Sequence, residues 1–324
     1  MERDEDVRAW QARFSAFSAE YASGRANHLP MALDALARMG ASPQRLESFA
    51  GTYLRTHELE PAGAGELEVR ARYAERLARR GRKRAVAEAL DELVDAPASS
   101  FFHALIRTAY ALGREDDDEL AAALAFWHRS AQRLGPPPAT DGRAAGDIGE
   151  TLRALRTVVE PEERGTLLMD RIVAIANLPG FAAIVQGRPT LDELGRFEWP
   201  IALLFGQTRS FTLVHVLTAL HAWRALAPHA GEAAGRTEQL WVGLCATYVA
   251  AGAPPALPAL REERRMSAAR LPDWDEIVRY ARASDDDHVV KAVYALWTHP
   301  ASDDPVFRWA ASRYAGVPAR AATA

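Results

Sequence analysis

Apolar residues along the chain recur three and four positions apart rather than at alternate positions, so the periodic segments read as helices and none as a strand with turn chemistry on both sides. The spacing predicts helices over Asp6 to Ser23, Pro30 to Met39, Pro43 to His57, Glu66 to Asp95, Ser100 to Leu112, Asp117 to Arg133 and Ile148 to Val159. Further helices are expected over Leu167 to Asn177, Phe211 to Ala227, Thr237 to Ala251, Trp274 to Arg282, Asp285 to Thr298 and Pro305 to Tyr314. The expected fold class is all-α, a compact multi-helix domain spanning residues 1–324, with no fixed-period repeat that would make a solenoid. At one junction the ends carry their own chemistry. Gly40 can take a left-handed cap, Ser42 can accept from the orphan amides of the next helix, and Pro43 sits where no donor is needed. The Pro/Gly-rich stretch 135–149 reads as a surface loop or a boundary.

Two helices are apolar on every side, which marks them as interior, and each carries a histidine. In FTLVHVLTALHAW, Phe211 to Trp223, His215 shares a face with the small residues Thr218, Ala219 and Ala222. His221 lies about 240° further round, so the two imidazoles do not face one ion. In SDDDHVVKAVYALWTHP, with Ser284 or Asp285 as the expected cap, His288 and Lys291 stand at i and i+3 amid Val289, Val290, Val293, Tyr294, Leu296 and Trp297. Two further histidines stand in helical segments: His103 within SSFFHALIRTAYAL, where Ser99 or Ser100 is the expected cap, on one face with Ile106, Arg107 and Tyr110, and His28, which opens the helix Pro30 to Met39. Singly, each reads as a satisfied core or capping imidazole.

Composition sharpens one of these positions and removes several function classes. The 324 residues carry 39 Lys plus Arg against 43 Asp plus Glu, a formal charge of −4, which gives no cationic footprint for nucleic acid or an anionic membrane. The single cysteine, Cys245, excludes an internal disulfide and a CxxC-type metal site. The first ten residues, MERDEDVRAW, lack the basic start and apolar run of a signal peptide, so a cytoplasmic protein is expected. The longest uncharged run, Leu240 to Leu260, is broken by prolines in its second half and reads as a buried helix followed by a loop. Among all the cationic residues only Lys83 and Lys291 are lysines. A chain that uses arginine wherever charge suffices has, at Lys291, a position that suggests a need for an amine; snorkelling to the surface or pairing with an aspartate is the alternative. No dinucleotide fingerprint, P-loop, GxSxG or HExxH motif is visible.

Read together, the strings NHLPMALDALARMGASPQRL at Asn27 to Leu46, FFHALIRTAYAL at Phe101 to Leu112, FTLVHVLTAL at Phe211 to Leu220 and DDHVVKAVYALW at Asp286 to Trp297 make the chain resemble the questin oxidase-like family, whose better known members act on fungal anthraquinones. The resemblance implies an all-α protein holding non-haem iron(II) through four histidines and a carboxylated lysine, which fall position by position on His28, His103, His215, His288 and Lys291. A neutral buried amine can add carbon dioxide to give an anionic oxygen donor, which arginine cannot, and a mixed nitrogen and oxygen site suits iron(II). The family often shows a second histidine where this chain has Arg107, so Arg107 is expected to orient an acidic oxygen of the substrate. The implied partners are molecular oxygen and a small aromatic molecule, with NADPH as reductant although no motif for it is visible. Phe101, Tyr110, Trp223 and Trp297 are expected to wall a flat ring, or simply to pack the core. Two other classes fit the same residues: a zinc-type hydrolase or lyase, and a helical interaction protein whose histidines are structural.

Overall fold

The computed structural model describes residues 14–318 apart from 15, 23, 115, 136–146, 162–164, 166 and 256–270. Among these residues the chain forms fifteen α-helices and one two-strand hairpin, the all-α class that the spacing predicts. The helices are α1 (Leu29–Arg38), α2 (Pro43–Thr56), α3 (Ala64–Arg80), α4 (Arg82–Leu93), α5 (His103–Leu112), α6 (Asp117–Ser130), α7 (Ile148–Leu155) and α8 (Leu168–Ala176). They continue as α9 (Pro179–Ile184), α10 (Leu191–Thr208), α11 (Phe211–Leu226), α12 (Glu238–Ala250), α13 (Trp274–Ala283), α14 (Asp287–Trp297) and α15 (Pro305–Ala315). The expected junction between α1 and α2 forms as its chemistry requires: Gly40 takes a φ of 85°, and the Ser42 hydroxyl accepts from Arg45 N at 3.2 Å.

Four expectations are corrected. Residues 6–13, 15 and 23 of the predicted helix Asp6 to Ser23 lie outside the described residues, but toward its end the chain is extended: β1 (Glu20–Tyr21) pairs antiparallel with β2 (Arg25–Ala26), strands too short to show an alternation. The predicted helix Glu66 to Asp95 is two helices, because Gly81 adopts a φ of 76° and ends α3. α10 was not expected at all. Gly195 and an internal Pro200 mask it, yet Thr190 and Glu193 form a reciprocal capping box at its start, with Thr190 N donating to Glu193 at 2.7 Å. Finally, α5 begins at His103 rather than Ser100, and α14 is capped by Asp286 rather than by Ser284 or Asp285. Most of the predicted loop 135–149 falls in 136–146, outside the described residues.

α11 and α12 run through the centre, buried along nearly their whole length as their apolar sequences require. One apolar cluster extends from Phe14 to Ala311. Around the site, α1 packs on α5 and α14, and α11 packs on the same two helices, so four helices close into a ring. Close approaches depend on two glycines. A Cβ at Gly206 of α10 would run into the Trp309 ring of α15, and one at Gly243 of α12 would meet Phe102 Cζ at 2.9 Å.

Candidate metal centre

The four helices of the ring each bring one histidine, and each does so at its N-terminal end. His28 is the residue before α1, His103 the first of α5, His215 the fifth of α11 and His288 the second of α14. These four imidazoles, spread over 260 residues of chain, meet in one cluster. Ring centroids are 4.5 Å apart for His28 and His103, 4.8 Å for His28 and His288, 5.0 Å for His103 and His215, and 5.5 Å for His215 and His288. Lys291, one turn along α14 from His288, is buried with them and does not snorkel.

Every one of the four rings has its Nδ1 engaged by an oxygen. His103 Nδ1 donates to the Ser100 carbonyl at 2.5 Å and His215 Nδ1 to the Phe211 carbonyl at 3.1 Å. His28 Nδ1 lies 2.5 Å from Asp287 Oδ2, and His288 Nδ1 lies 3.3 Å from the same oxygen and 3.6 Å from Asp286 Oδ1. A carbonyl only accepts, so the protons of His103 and His215 sit on Nδ1 and their Nε2 atoms carry lone pairs. Those two Nε2 atoms face each other at 3.2 Å. Burial pushes the imidazolium forms of both rings well below the usual histidine range, so a proton shared between them is disfavoured. Two lone pairs at this distance call for a cation, and His288 Nε2, buried without any partner, gives a third unsatisfied nitrogen. Fixing Nδ1 through an oxygen while leaving Nε2 free is how proteins orient histidine toward a metal. The residues fit a metal ion.

One member of the cluster escaped the sequence reading. Asp287, first residue of α14 and buried, contacts His28, His288 and, at 3.1 Å, the Lys291 amine, all through Oδ2. Burial, the largest single influence, pushes the Asp287 carboxyl up, but His28, Lys291 and His288 together outweigh it and hold the group well below the usual carboxylate range. Burial also lowers the Lys291 amine, with Asp287 opposing it, and takes His28 down to about 3, helped by the Lys291 charge. The signal for Asp287 was present in its i, i+4 relation to Lys291, yet in the run Asp285-Asp286-Asp287 nothing local distinguishes a cap from an inward carboxylate.

Arg107 has a different partner from the one expected. Its Nε and Nη2 donate to the two carboxylate oxygens of Glu119 at 2.7 and 3.0 Å, with both residues buried, so the guanidinium already has its anion and fastens α5 to α6. Of the four expected aromatics only Phe101 stands against the cluster, 4.5 Å from His215. Tyr110 contacts His221 and Tyr294, Trp297 contacts Tyr294, and Trp223 is buried. A second ring, Phe211, is half-exposed and lies 4.6 Å from His288 and 5.2 Å from His215. His221 is absent from the cluster, as its position on the helix predicts.

The approach to His103 is strained. Ser100, Phe101 and Phe102 have φ of 48°, 56° and 67°, three successive side-chain-bearing residues in the left-handed region. The turn is held by the Ser100 hydroxyl donating to Glu20 at 2.6 Å, by Phe101 N donating to Met169 Sδ at 3.4 Å, and by the wholly buried Phe102 ring. It delivers the Ser100 carbonyl to His103 Nδ1.

Fold and site together define an all-helical protein in which four histidines, three buried and His288 partly exposed, gather with one buried carboxylate and one buried lysine. A family model described as questin oxidase-like matches residues 203–296, from the second half of α10 to the penultimate residue of α14. The matched segment contains His215, Asp287, His288 and Lys291, while His28 and His103 lie outside it. The match supports an oxidoreductase acting on a small molecule. No curated protein matches the chain. Among the described residues no helix is long and apolar enough to cross a membrane.

Proposed function

We propose that the chain is a non-haem iron(II) oxygenase of secondary metabolism that attacks or cleaves a polycyclic aromatic or quinone ring, with NADPH as external reductant. The observation that carries the metal reading is the pair of facing Nε2 atoms of His103 and His215, 3.2 Å apart with both Nδ1 protons given to carbonyls. His28, His103, His215 and His288 would hold the ion through Nε2, and Lys291, once carboxylated, would add an anionic oxygen. Iron(II) bound there supplies the one-electron chemistry that lets molecular oxygen react with a closed-shell aromatic molecule. The helix N-termini gathered at the site favour negative charge, which suits an anionic donor beside a cation.

The chain's own groups divide the remaining tasks. The Nδ1 contacts fix each ring before an ion arrives, so little orientation is lost on binding. Burial of the Lys291 amine favours its neutral form, whose nitrogen can bond to the carbon of carbon dioxide and release a proton to water. The buried Phe101 packs against His103 and His215, and the half-exposed Phe211 offers a face on which a flat ring can stack. The test is to reconstitute the apoprotein anaerobically with iron(II), measure bound iron, add a hydroxylated anthraquinone and follow oxygen uptake beside a His288→Ala control. One iron per chain with substrate-dependent uptake that the control lacks is expected. Iron binding with no uptake across a panel of phenols and quinones would instead favour a hydrolytic use of the same ligands.

A further inference from the structure

We propose that Asp287 is a positioning residue of the centre, its carboxylate fixing the His28 and His288 imidazoles and the Lys291 amine in the arrangement that receives the ion. This rests on the metal reading above, and it concerns a residue outside the set of four histidines and one lysine. The four imidazoles are oriented in two different ways. His103 and His215 are held by main-chain carbonyls of Ser100 and Phe211, partners that no substitution removes. His28 and His288 depend on side chains: both contact Asp287 Oδ2, at 2.5 and 3.3 Å, and His288 has in addition the more distant and exposed Asp286.

One oxygen therefore serves three nitrogens, since the Lys291 amine reaches it at 3.1 Å. His28 Nδ1 is at hydrogen-bond distance from Oδ2, and His288 Nδ1 and the Lys291 amine approach the same oxygen, so Oδ2 is engaged by the groups it orients. Asp287 also has a ligand atom within 4.8 Å of those of His28 and His288, and ligation is the alternative that the cobalt spectrum below separates from orientation. The link is also long in sequence: it ties residue 28, ahead of α1, to the first residue of α14. Asp286 caps α14, accepting from His288 N at 2.8 Å, and so leaves Asp287 as the first helical residue, where a carboxylate is favoured by the helix dipole. Carboxylate partners of ligating histidines of this kind change metal affinity by roughly 10- to 100-fold when removed.

The test uses the full chain and the variants Asp287→Asn and Asp287→Glu, titrated with cobalt(II) against a competing chelator, together with long-range nitrogen–proton spectra of the imidazoles. Asp287→Asn is expected to weaken cobalt binding roughly 10- to 100-fold while leaving the visible cobalt spectrum, and hence the ligand set, unchanged. Asp287→Glu should fall between that variant and the wild type, and it carries the same comparison should the Asn variant not fold. In the imidazole spectra His28 and His288 should lose their fixed Nδ1–H form while His103 and His215 keep theirs, a selectivity that general loosening does not produce. Cobalt affinity equal to wild type in the Asn variant overturns the proposal. So does a cobalt spectrum of lower coordination, which makes Asp287 a ligand, or a change in all four imidazoles together, which makes its role merely structural. Wild-type protein that takes up no cobalt overturns the metal reading itself, and that titration precedes the variants.

Discussion

Lys291 and Arg107 are both buried basic side chains beside a carboxylate, but Asp287 engages Lys291 through one oxygen shared with two histidines, whereas Glu119 gives Arg107 both of its oxygens. Arg107→Ala therefore leaves a buried carboxylate unpaired and is expected to cost about 3 to 5 kcal/mol of folding stability, read as a lower urea midpoint, with no selective rise in KM for an aromatic substrate. A variant with unchanged stability and a raised KM would return Arg107 to the substrate. Lys291→Arg keeps a positive partner for Asp287 yet has no amine that carbon dioxide can modify, so bound iron should be lost; full iron content in that variant would exclude the carbamate. At this scale the sequence spoke clearly where a residue was chemically unusual. A lysine in an arginine chain, and histidines in apolar helices, stood out without any contact information. Glu119 did not, because it meets Arg107 across two helices and a turn, and Asp287 did not, because its two neighbours are also aspartates.

Helix periodicity made α1, α2, α6, α11, α12, α13, α14 and α15 legible, since each has an apolar face or is apolar throughout. It failed where backbone geometry overrode pattern. Gly81 splits one polar-faced run into α3 and α4, and Ser100 to Phe102 leave helical space altogether although none is glycine. That left-handed turn is imposed from outside, by the packing of Phe102 against α12. Gly243→Ala would set a methyl 2.9 Å from Phe102 Cζ and 3.0 Å from Ala98 Cβ. With Phe102 fully buried the ring has little room to retreat, so a loss of about 1 to 3 kcal/mol in denaturant unfolding is expected. Because the same turn carries the carbonyl that holds His103, the variant should also bind cobalt more weakly; stability lost without any change in cobalt affinity would uncouple the turn from the centre.

The whole molecule keeps several histidines neutral. Burial takes His28 and His221 each down to about 3 and places His103 and His215 well below the ordinary range. Unfolded, each titrates near ~6.5, so between that value and about 3 the unfolded chain binds protons that the folded chain refuses. Stability is thus full above ~6.5 and is lost as the pH falls, by about 1.4 kcal/mol per pH unit for each such histidine. Urea midpoints of the apoprotein at pH 7.5, 6.0 and 5.0 should fall in that order, and a flat series would mean that these imidazoles are not held neutral. The ring of four helices has one more consequence, in the order in which the chain is made. Synthesis runs from the N-terminus, so His28, His103 and His215 emerge from the ribosome long before the segment Asp287 to Lys291 exists. A nascent chain can fold much of its helical core, yet it has no carboxylate to seat His28 and no Lys291 to modify until α14 is translated. On the metal reading proposed above, the centre is complete only once α14 has been made, and a stop between His215 and α14 yields a chain with three of the histidines and neither Asp287 nor Lys291.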